Sequence, residues 1–399
     1  MRERHCADAR YLWNLAVEQF RYRERSERGT TGRPAPGPAA RQKQLAEARQ
    51  GFEWLRGGSS SVQQQALRDF DRAAQACFDG KAKEPTWRKR GKSKGFCVRD
   101  TKVVVHNHTW AQIAIPKLGW VKFKLSRALP AGKLGMARIT RSSSGRWHVS
   151  FPAPQRAVTD VGRAGRSIGI DRGVATAIAT SDRQMFRAPK MRKREQAKLA
   201  RLEREKSRRR KNSRRRKVVV RRIATLHQAV ADRRRDWVEK ITTRLAANYE
   251  VVAVESLPVR SMVRRPKPKP DPDNHGQYLP NGAAAKAGLN KGIYANCWGL
   301  FARRLGQKMQ SSGTTLVEVS ARYSSQECRK CGHTAKENRE SQAVFLCVAC
   351  GHGDHADHNA ANIILARAQP APAPGRGAAP RGAGTARCAH ESENQRWTA

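Results

Sequence analysis

Four cysteines in two x2 pairs, Cys328-x2-Cys331 and Cys347-x2-Cys350, form the strongest chemical signal in the sequence. Thiolates in this pattern suit tetrahedral Zn2+, because one tight turn can present two sulfurs to the same ion. Each pair continues with glycine and histidine, as Cys331-Gly332-His333 and Cys350-Gly351-His352. Glycine suits the positive φ that such a turn demands. With all four positions filled by protein, the expected site is closed and structural, and His333 and His352 are neighbours rather than ligands. Cys6, Cys77, Cys97, Cys297 and Cys388 are scattered and read as ordinary thiols.

A second signal is three acids in ordered contexts. Asp171 ends the apolar run Ile168-Gly169-Ile170, Glu255 ends Val251-Val252-Ala253-Val254, and Asp357 opens the helical run Ala356 to Asn362. A carboxylate at the end of a buried strand is costly unless something compensates it. Several converging carboxylates can bind Mg2+, which takes oxygen ligands and keeps waters for substrate phosphates. Two such ions, about 4 Å apart, would activate a water and stabilise the leaving oxygen in phosphodiester cleavage. Each acid also has a plainer reading: Asp171 as a turn residue, Glu255 as a surface acid, Asp357 as a helix cap. Asp354, three residues before Asp357, is a rival for its place.

The chain around these groups is strongly basic. Its 399 residues hold 80 Lys and Arg against 33 Asp and Glu, a net charge of +47. Such a chain repels itself unless a polyanion neutralises it, and nucleic acid gains affinity through counterion release. The membrane alternative calls for an amphipathic basic helix or a lipid anchor, and neither stands out. No run approaches the roughly 18 apolar residues of a spanning helix, and MRERHCADAR has no apolar signal core. The expectation is a cytoplasmic protein with reduced thiols.

The elements that must position the two clusters can be read from periodicity. Residues 1–95 read as helical, with Leu12, Leu15, Val17 and Phe20 on one face and Val62 to Phe78 supplying another. Gly29 to Ala40 reads as a loop. Residues 96–160 alternate in short strand-like runs, which predicts a small β-barrel or sandwich. Residues 166–186 read as a strand and hairpin, and 190–250 as basic helices with Ile223, Leu226, Val230, Trp237, Ile241 and Leu245 on one stripe. Such helices are expected to hold a nucleic-acid backbone, and Trp87 and Trp147, set among basic residues, to stack on bases or pack inside. Residues 263–292 read as a loop, a helix follows around Trp298, a strand at Leu316–Val319, and a last helix at about 358–368. The tail 369–399, rich in Ala, Pro, Gly and Arg, reads as disordered.

In this order the motifs resemble the TnpB (OrfB) family of insertion-sequence proteins, related to small type V CRISPR effectors. The residues that carry the resemblance are RSIGIDRGVATAIATSD (166–182), VVAVESLPVRSMV (251–263), NCWGLFARRL (296–305), YSSQECRKCGH (323–333), NRESQAVFLCVACGH (338–352) and ADHNAANIILA (356–366). The resemblance implies an α+β protein. A helical recognition lobe (1–95) and a β-barrel (96–160) would precede an RNase H-like, RuvC-type nuclease domain (161–323), a four-cysteine zinc ribbon (324–353) and a last nuclease segment (354–368). It implies Asp171, Glu255 and Asp357 as the catalytic acids, the last in the pattern D-x-N-A-A-x-N-I. It further implies a guide RNA made from the transposon end, cleavage of double-stranded DNA beside a short adjacent motif, and work at the bacterial nucleoid. Two features depart from the family: the chain starts almost at the helix matching YLWN, where members begin with a strand, and His358 stands where a small apolar residue is common. The rival readings are a miniature type V CRISPR effector, an RNA-guided repressor that does not cut, and a transposase acting directly in strand transfer.

Overall fold

A computed structural model describes residues 1–27, 36–91, 94–132, 134–154, 157–274 and 276–369. Cys388, the tail beyond 369 and residues 28–35 of the expected loop lie outside the described residues. Pro38 to Ala40, also assigned to that loop, instead open a helix (Pro38–Gly51), with proline at a position where its missing N–H costs nothing.

The N-terminal lobe packs helices Arg2–Glu27, Pro38–Gly51 and Ser60–Phe78. Ser59 caps the last of these by accepting from the Val62 N–H, and Val62, Ala66, Leu67, Phe70 and Ala74 recur at helical spacing and are buried. Two residues assigned to the apolar faces, Leu15 and Phe78, are exposed: along the first helix the buried stripe is Ala9, Leu12 and Ala16.

Residues 95–150 form two three-stranded antiparallel sheets. One orders Gly95–Arg99, Met136–Arg141 and Trp147–Ser150; the other orders Val103–Val105, Trp110–Ile115 and Gly119–Lys124. Among the described residues no ladder joins them, so the expected closed barrel is corrected to an open pair. The reason lies in what covers them. Phe96, Val98, Ile113, Ile115 and Ile139 share one core with Leu12, Val17, Leu67 and Phe70, so helices fill the space a barrel would enclose. Trp147 packs against this core.

The C-terminal half is built on a five-stranded sheet, in spatial order Thr315–Val319, Val251–Glu255, Ser167–Asp171, Ile178–Thr180, Met185–Phe186. The first three are parallel; the last two turn back antiparallel. Parallel strands covered on both faces need continuous apolar runs, which VVAVE and SIGID supply. Helix Arg214–Asn248 starts at a Ser213 cap and buries Val238, Ile241 and Leu245 with Phe301 and Leu305 of helix Trp298–Ser311. The segment expected as a loop, 263–292, holds a short hairpin and, from Ala283 to Ala295, a helix. Ala-rich local propensity there outweighs the glycine and lysine content that suggested a loop.

Helix Ala356–Ala368 lies directly on the central strand. A Cβ on Gly169 would stand 2.0 Å from the Ala361 carbonyl oxygen and 2.8 Å from the Leu365 Cβ. Glycine is therefore required for this close approach. Gly169→Ala is expected to cost about 1–3 kcal/mol through forced separation of helix and strand. Gly288→Ala, in a helix with open space at that position, should be neutral or stabilising. Thermal unfolding of the two variants checks the difference; equal melting temperatures would contradict it.

Candidate functional site

The sheet register brings two of the acids together. Val254 pairs with Ile170, so Glu255 and Asp171 follow side by side at the carboxyl ends of adjacent parallel strands. Asp171 shares a face with Gly169, two residues earlier, and that face is the one covered by helix Ala356–Ala368. From Gly169 to Asp171 is about 7 Å of strand, and from Ala361 back to Asp357 about 6 Å of helix. The third acid is thereby set beside the first.

The electrostatics agree with this convergence. The Asp171 carboxyl is pushed up to about 8, first by burial and then by the negative charges of Glu255 and Asp357, with Arg339 acting against them. Glu255 is also raised by burial, opposed by the Ser324 hydroxyl, which donates to its Oε1 at 2.8 Å, and by Arg172 and Arg367. Arg172 is itself buried and donates to the Glu255 backbone carbonyl. Arg339 stands 3.6 Å from the Asp357 carboxylate. Neither Arg339 nor Ser324 was foreseen, because each comes from the cysteine-rich region and no spacing marks it as a neighbour of the acids.

The alternatives for Asp357 can be weighed on geometry. His355 caps the helix, its Nδ1 accepting from the Asp357 N–H at 3.2 Å, so Asp357 is not needed for that task. Asp354 is engaged elsewhere. It bonds His358 Nδ1 at 2.7 Å and pairs with Arg329 at 3.1 Å. These partners, with its own backbone contact to the His355 N–H, outweigh burial and lower its pKa. His358 also reaches the Ser181 carbonyl at 2.9 Å, which ties the start of the helix to the turn after strand Ile178–Thr180.

The cysteine cluster has the form of two matching knuckles. In the first, the Cys328 N–H donates to the His333 carbonyl and the Gly332 N–H to the Cys328 carbonyl; in the second, Cys347 and Gly351 repeat the pattern with His352 and Cys347. Gly332 and Gly351 adopt φ of 75° and 65°. The four sulfurs lie within 4.8 Å of one another, with Cys328–Cys350 at 3.7 Å and Cys331–Cys347 at 3.6 Å. Tetrahedral Zn–S bonds of about 2.3 Å place sulfurs about 3.8 Å apart, and a disulfide about 2 Å, so the spacing fits zinc. Burial opposes ionisation of Cys347, but N–H groups of Cys350 and Ala349 and the neighbouring thiols outweigh it and lower it to about 6. The His333 N–H favours the Cys331 thiolate, yet the other three sulfurs push that thiol up to about 12. One thiolate forms at another's expense, a conflict that a divalent cation resolves.

Asn359 links the two clusters. It is fully buried in the helix of Asp357, accepts from the Arg329 N–H at 3.1 Å and donates to the Glu327 carbonyl at 2.7 Å. On the other side, Asn296 donates to the Gly173 and Val174 carbonyls at 2.9 and 2.8 Å, holding the turn that follows Asp171. Helices Lys193–Ser207 and Arg214–Asn248 and the turn between them expose Arg201, Arg208, Arg210, Lys211, Arg214 and Arg215. Among the described residues no helix is long and apolar enough to cross a membrane.

Comparison with known proteins places these features in a family. Residues 150–265 match the OrfB_IS605 profile, described as a probable transposase, and residues 298–364 match the Cas12f1-like TNB domain. InsQ of Escherichia coli (strain K12), named as an RNA-guided DNA endonuclease, is 32% identical over 79% of this chain and 76% of its own length. A Streptomyces pristinaespiralis protein of the same description is 29% identical over 86% of this chain and 80% of its own. In a solved structure, a Cas12f1–sgRNA–target DNA complex, the protein shares the fold at a TM-score of 0.52 and 14% identity, covering 91% of this chain and 81% of that one. The α+β architecture is thus that of the Cas12f effectors, and the chain belongs to the TnpB (OrfB) family of insertion-sequence proteins, whose relatives named here are RNA-guided DNA endonucleases.

Proposed function

We propose that this chain is an RNA-guided endonuclease of an insertion sequence, cutting target DNA by metal-dependent phosphodiester hydrolysis at Asp171, Glu255 and Asp357. The observation that carries the reading is the Asp171 carboxyl, held up to about 8 by burial and by the other two acids. Three carboxylates gathered at strand and helix ends are unfavourable without a cation and suit Mg2+, whose hard oxygen preference they match. When bound, Mg2+, with two ions expected, supplies an activated water and stabilises the leaving oxygen. The protein's own part is positional. The strand register holds Asp171 and Glu255, Ser324 orients Glu255, and Asn359 and His358 fix the helix that carries Asp357. Arg339 balances the charge of the trio.

The strand order, with Ser167–Asp171, Val251–Glu255 and Thr315–Val319 parallel and Ile178–Thr180 and Met185–Phe186 joined to them as an antiparallel meander, supports an RNase H-like, RuvC-type domain over 161–323 and 354–368. The helical lobe (1–95) and open sheets (96–160) precede it, and the zinc ribbon (324–353) interrupts it. The partners are a guide RNA from the transposon end and double-stranded DNA with a short adjacent motif. Base pairing reads the sequence while the basic helices hold duplex backbones. The protein is expected to copurify with one dominant structured RNA; a soluble, nucleic-acid-free preparation at moderate salt would count against this function.

The raised Asp171 pKa has a signed consequence. A carboxyl whose folded pKa exceeds its unfolded value of about 3.9 stabilises the fold while protonated. That contribution is lost as pH rises toward the folded value of about 8. Cation binding requires the proton to leave, so the rise in melting temperature on adding Mg2+ should be larger at about pH 8 than at about pH 5. Scanning calorimetry with and without Mg2+ checks this, and an equal shift at both pH values would contradict it.

A further inference from the structure

The sheet Val103–Val105, Trp110–Ile115, Gly119–Lys124 has two faces of different character. Its inner face, with Ala111, Ile113 and Ile115, is buried against the N-terminal lobe. Its outer face would ordinarily be polar. Cross-strand register pairs Trp110 with Lys124, Gln112 with Lys122 and Ala114 with Trp120, so these six residues share that outer face. Trp110 and Trp120 are 38% and 51% exposed, and the Lys122 ammonium lies 4.9 Å from the Trp110 ring centroid. The rings stand on neighbouring strands, about 13 Å apart along the strand direction. Two bare tryptophans on a solvent face are an aggregation liability unless a partner covers them.

The charge identifies that partner's chemistry. Between Asp100 and Asp160 the chain contains no acidic residue, while Lys102, Lys122 and Lys124 fall on the outer face and are exposed. A second copy of the same surface would bring like charges together, which disfavours self-association. A flat sheet presenting aromatic rings between cations suits unpaired nucleobases, because every base has a π-face and every linkage a phosphate. We propose that this face binds unpaired bases of the guide RNA, which stack on Trp110 and Trp120 while Lys122 and Lys124 take the intervening phosphates. RNA rather than the displaced DNA strand is the occupant because the guide stays bound throughout and keeps the rings covered; target DNA comes and goes. This rests on the RNA-guided reading above and assigns part of the guide to one surface.

The test uses the full-length chain with its copurified RNA, extracted, end-labelled and returned to protein freed of nucleic acid. Trp110→Ala and Trp120→Ala should each weaken binding about five- to a hundredfold with an unchanged salt slope, since stacking releases no counterions. Phe at either position should restore most of the affinity. Ultraviolet crosslinking should join both tryptophans to RNA before any target is added. Unchanged affinity in the Trp110→Ala/Trp120→Ala double variant, in a preparation that still binds the RNA, overturns the proposal and leaves the guided function standing. Crosslinks that form only after target DNA is added also overturn it in favour of the displaced strand. A shift from dimer to monomer with unaltered RNA affinity overturns it in favour of a second copy. If the unmutated protein carries no RNA, both this proposal and the function beneath it fall.

Discussion

Asp357→Asn should abolish guided DNA cleavage, by on the order of 10³-fold or more, while binding of guide and target stays nearly intact. Asn caps helices about as well as Asp, and His355 already occupies the cap, so a purely structural Asp357 would tolerate the change. In the metal-site reading the same change removes an anionic ligand, and a group of residues that acts as a unit fails when one member is lost. Asp171→Ala and Glu255→Ala should behave alike, and double variants should be hardly worse than single ones. Removal of a negative charge does not weaken contact with a polyanion, so electrophoretic mobility shifts should remain. Asp354→Asn should loosen the turn it shares with His358 and Arg329 and reduce cleavage without abolishing it. An active Asp357→Asn beside an inactive Asp354→Asn would show that the other acid is the ligand. Absence of cleavage in the unmutated protein, with guided binding preserved, would identify a repressor.

The second large effect concerns the ribbon. Elemental analysis should find one zinc per chain, and Cys347→Ser should lose it. The apolar core of the ribbon consists only of Cys328, Phe345, Cys347 and Ala356, too little to hold a fold without the ion. The central sheet has its own core of Ile168, Ile170, Val252, Val254, Phe301 and Leu305 and should stay folded. Limited proteolysis should therefore cut within 324–353 while the rest of the domain resists. Cleavage activity should fall by about 10²-fold or more, because Asn359 holds the helix of Asp357 to Arg329 and Glu327, and misplacement of a reactive group by about 1 Å is that costly. Iron in place of zinc, or a protease-resistant ribbon without metal, would overturn the assignment.

What could be read without coordinates was local. The cysteine spacing defined two knuckles, and the glycines after Cys331 and Cys350 adopt the positive φ expected of them. The strands ending at Asp171 and Glu255 and the stripe through Ile223, Val230, Ile241 and Leu245 were legible because apolar periodicity is written along the chain. Where competing local signals were close, as in the Ala-, Gly- and Lys-rich stretch before Asn296, a helix was taken for a loop.

The sequence by itself determined which groups exist and which local element carries each: four thiols on two turns, two acids at strand ends, a third in the first turn of a helix. The tertiary structure alone decided which of them meet. Parallel register set Glu255 beside Asp171, and the absence of a side chain at Gly169 let the last helix descend far enough to bring Asp357 to them. It also placed Arg339 and Ser324 among the acids and sent Asp354 to His358 and Arg329. It filled the space of an expected barrel with helices. The physical reason is the same in each case. Periodicity and turn chemistry act over a few residues, whereas the partner of a buried charge is chosen by packing between segments far apart in the chain, where sequence separation carries no distance.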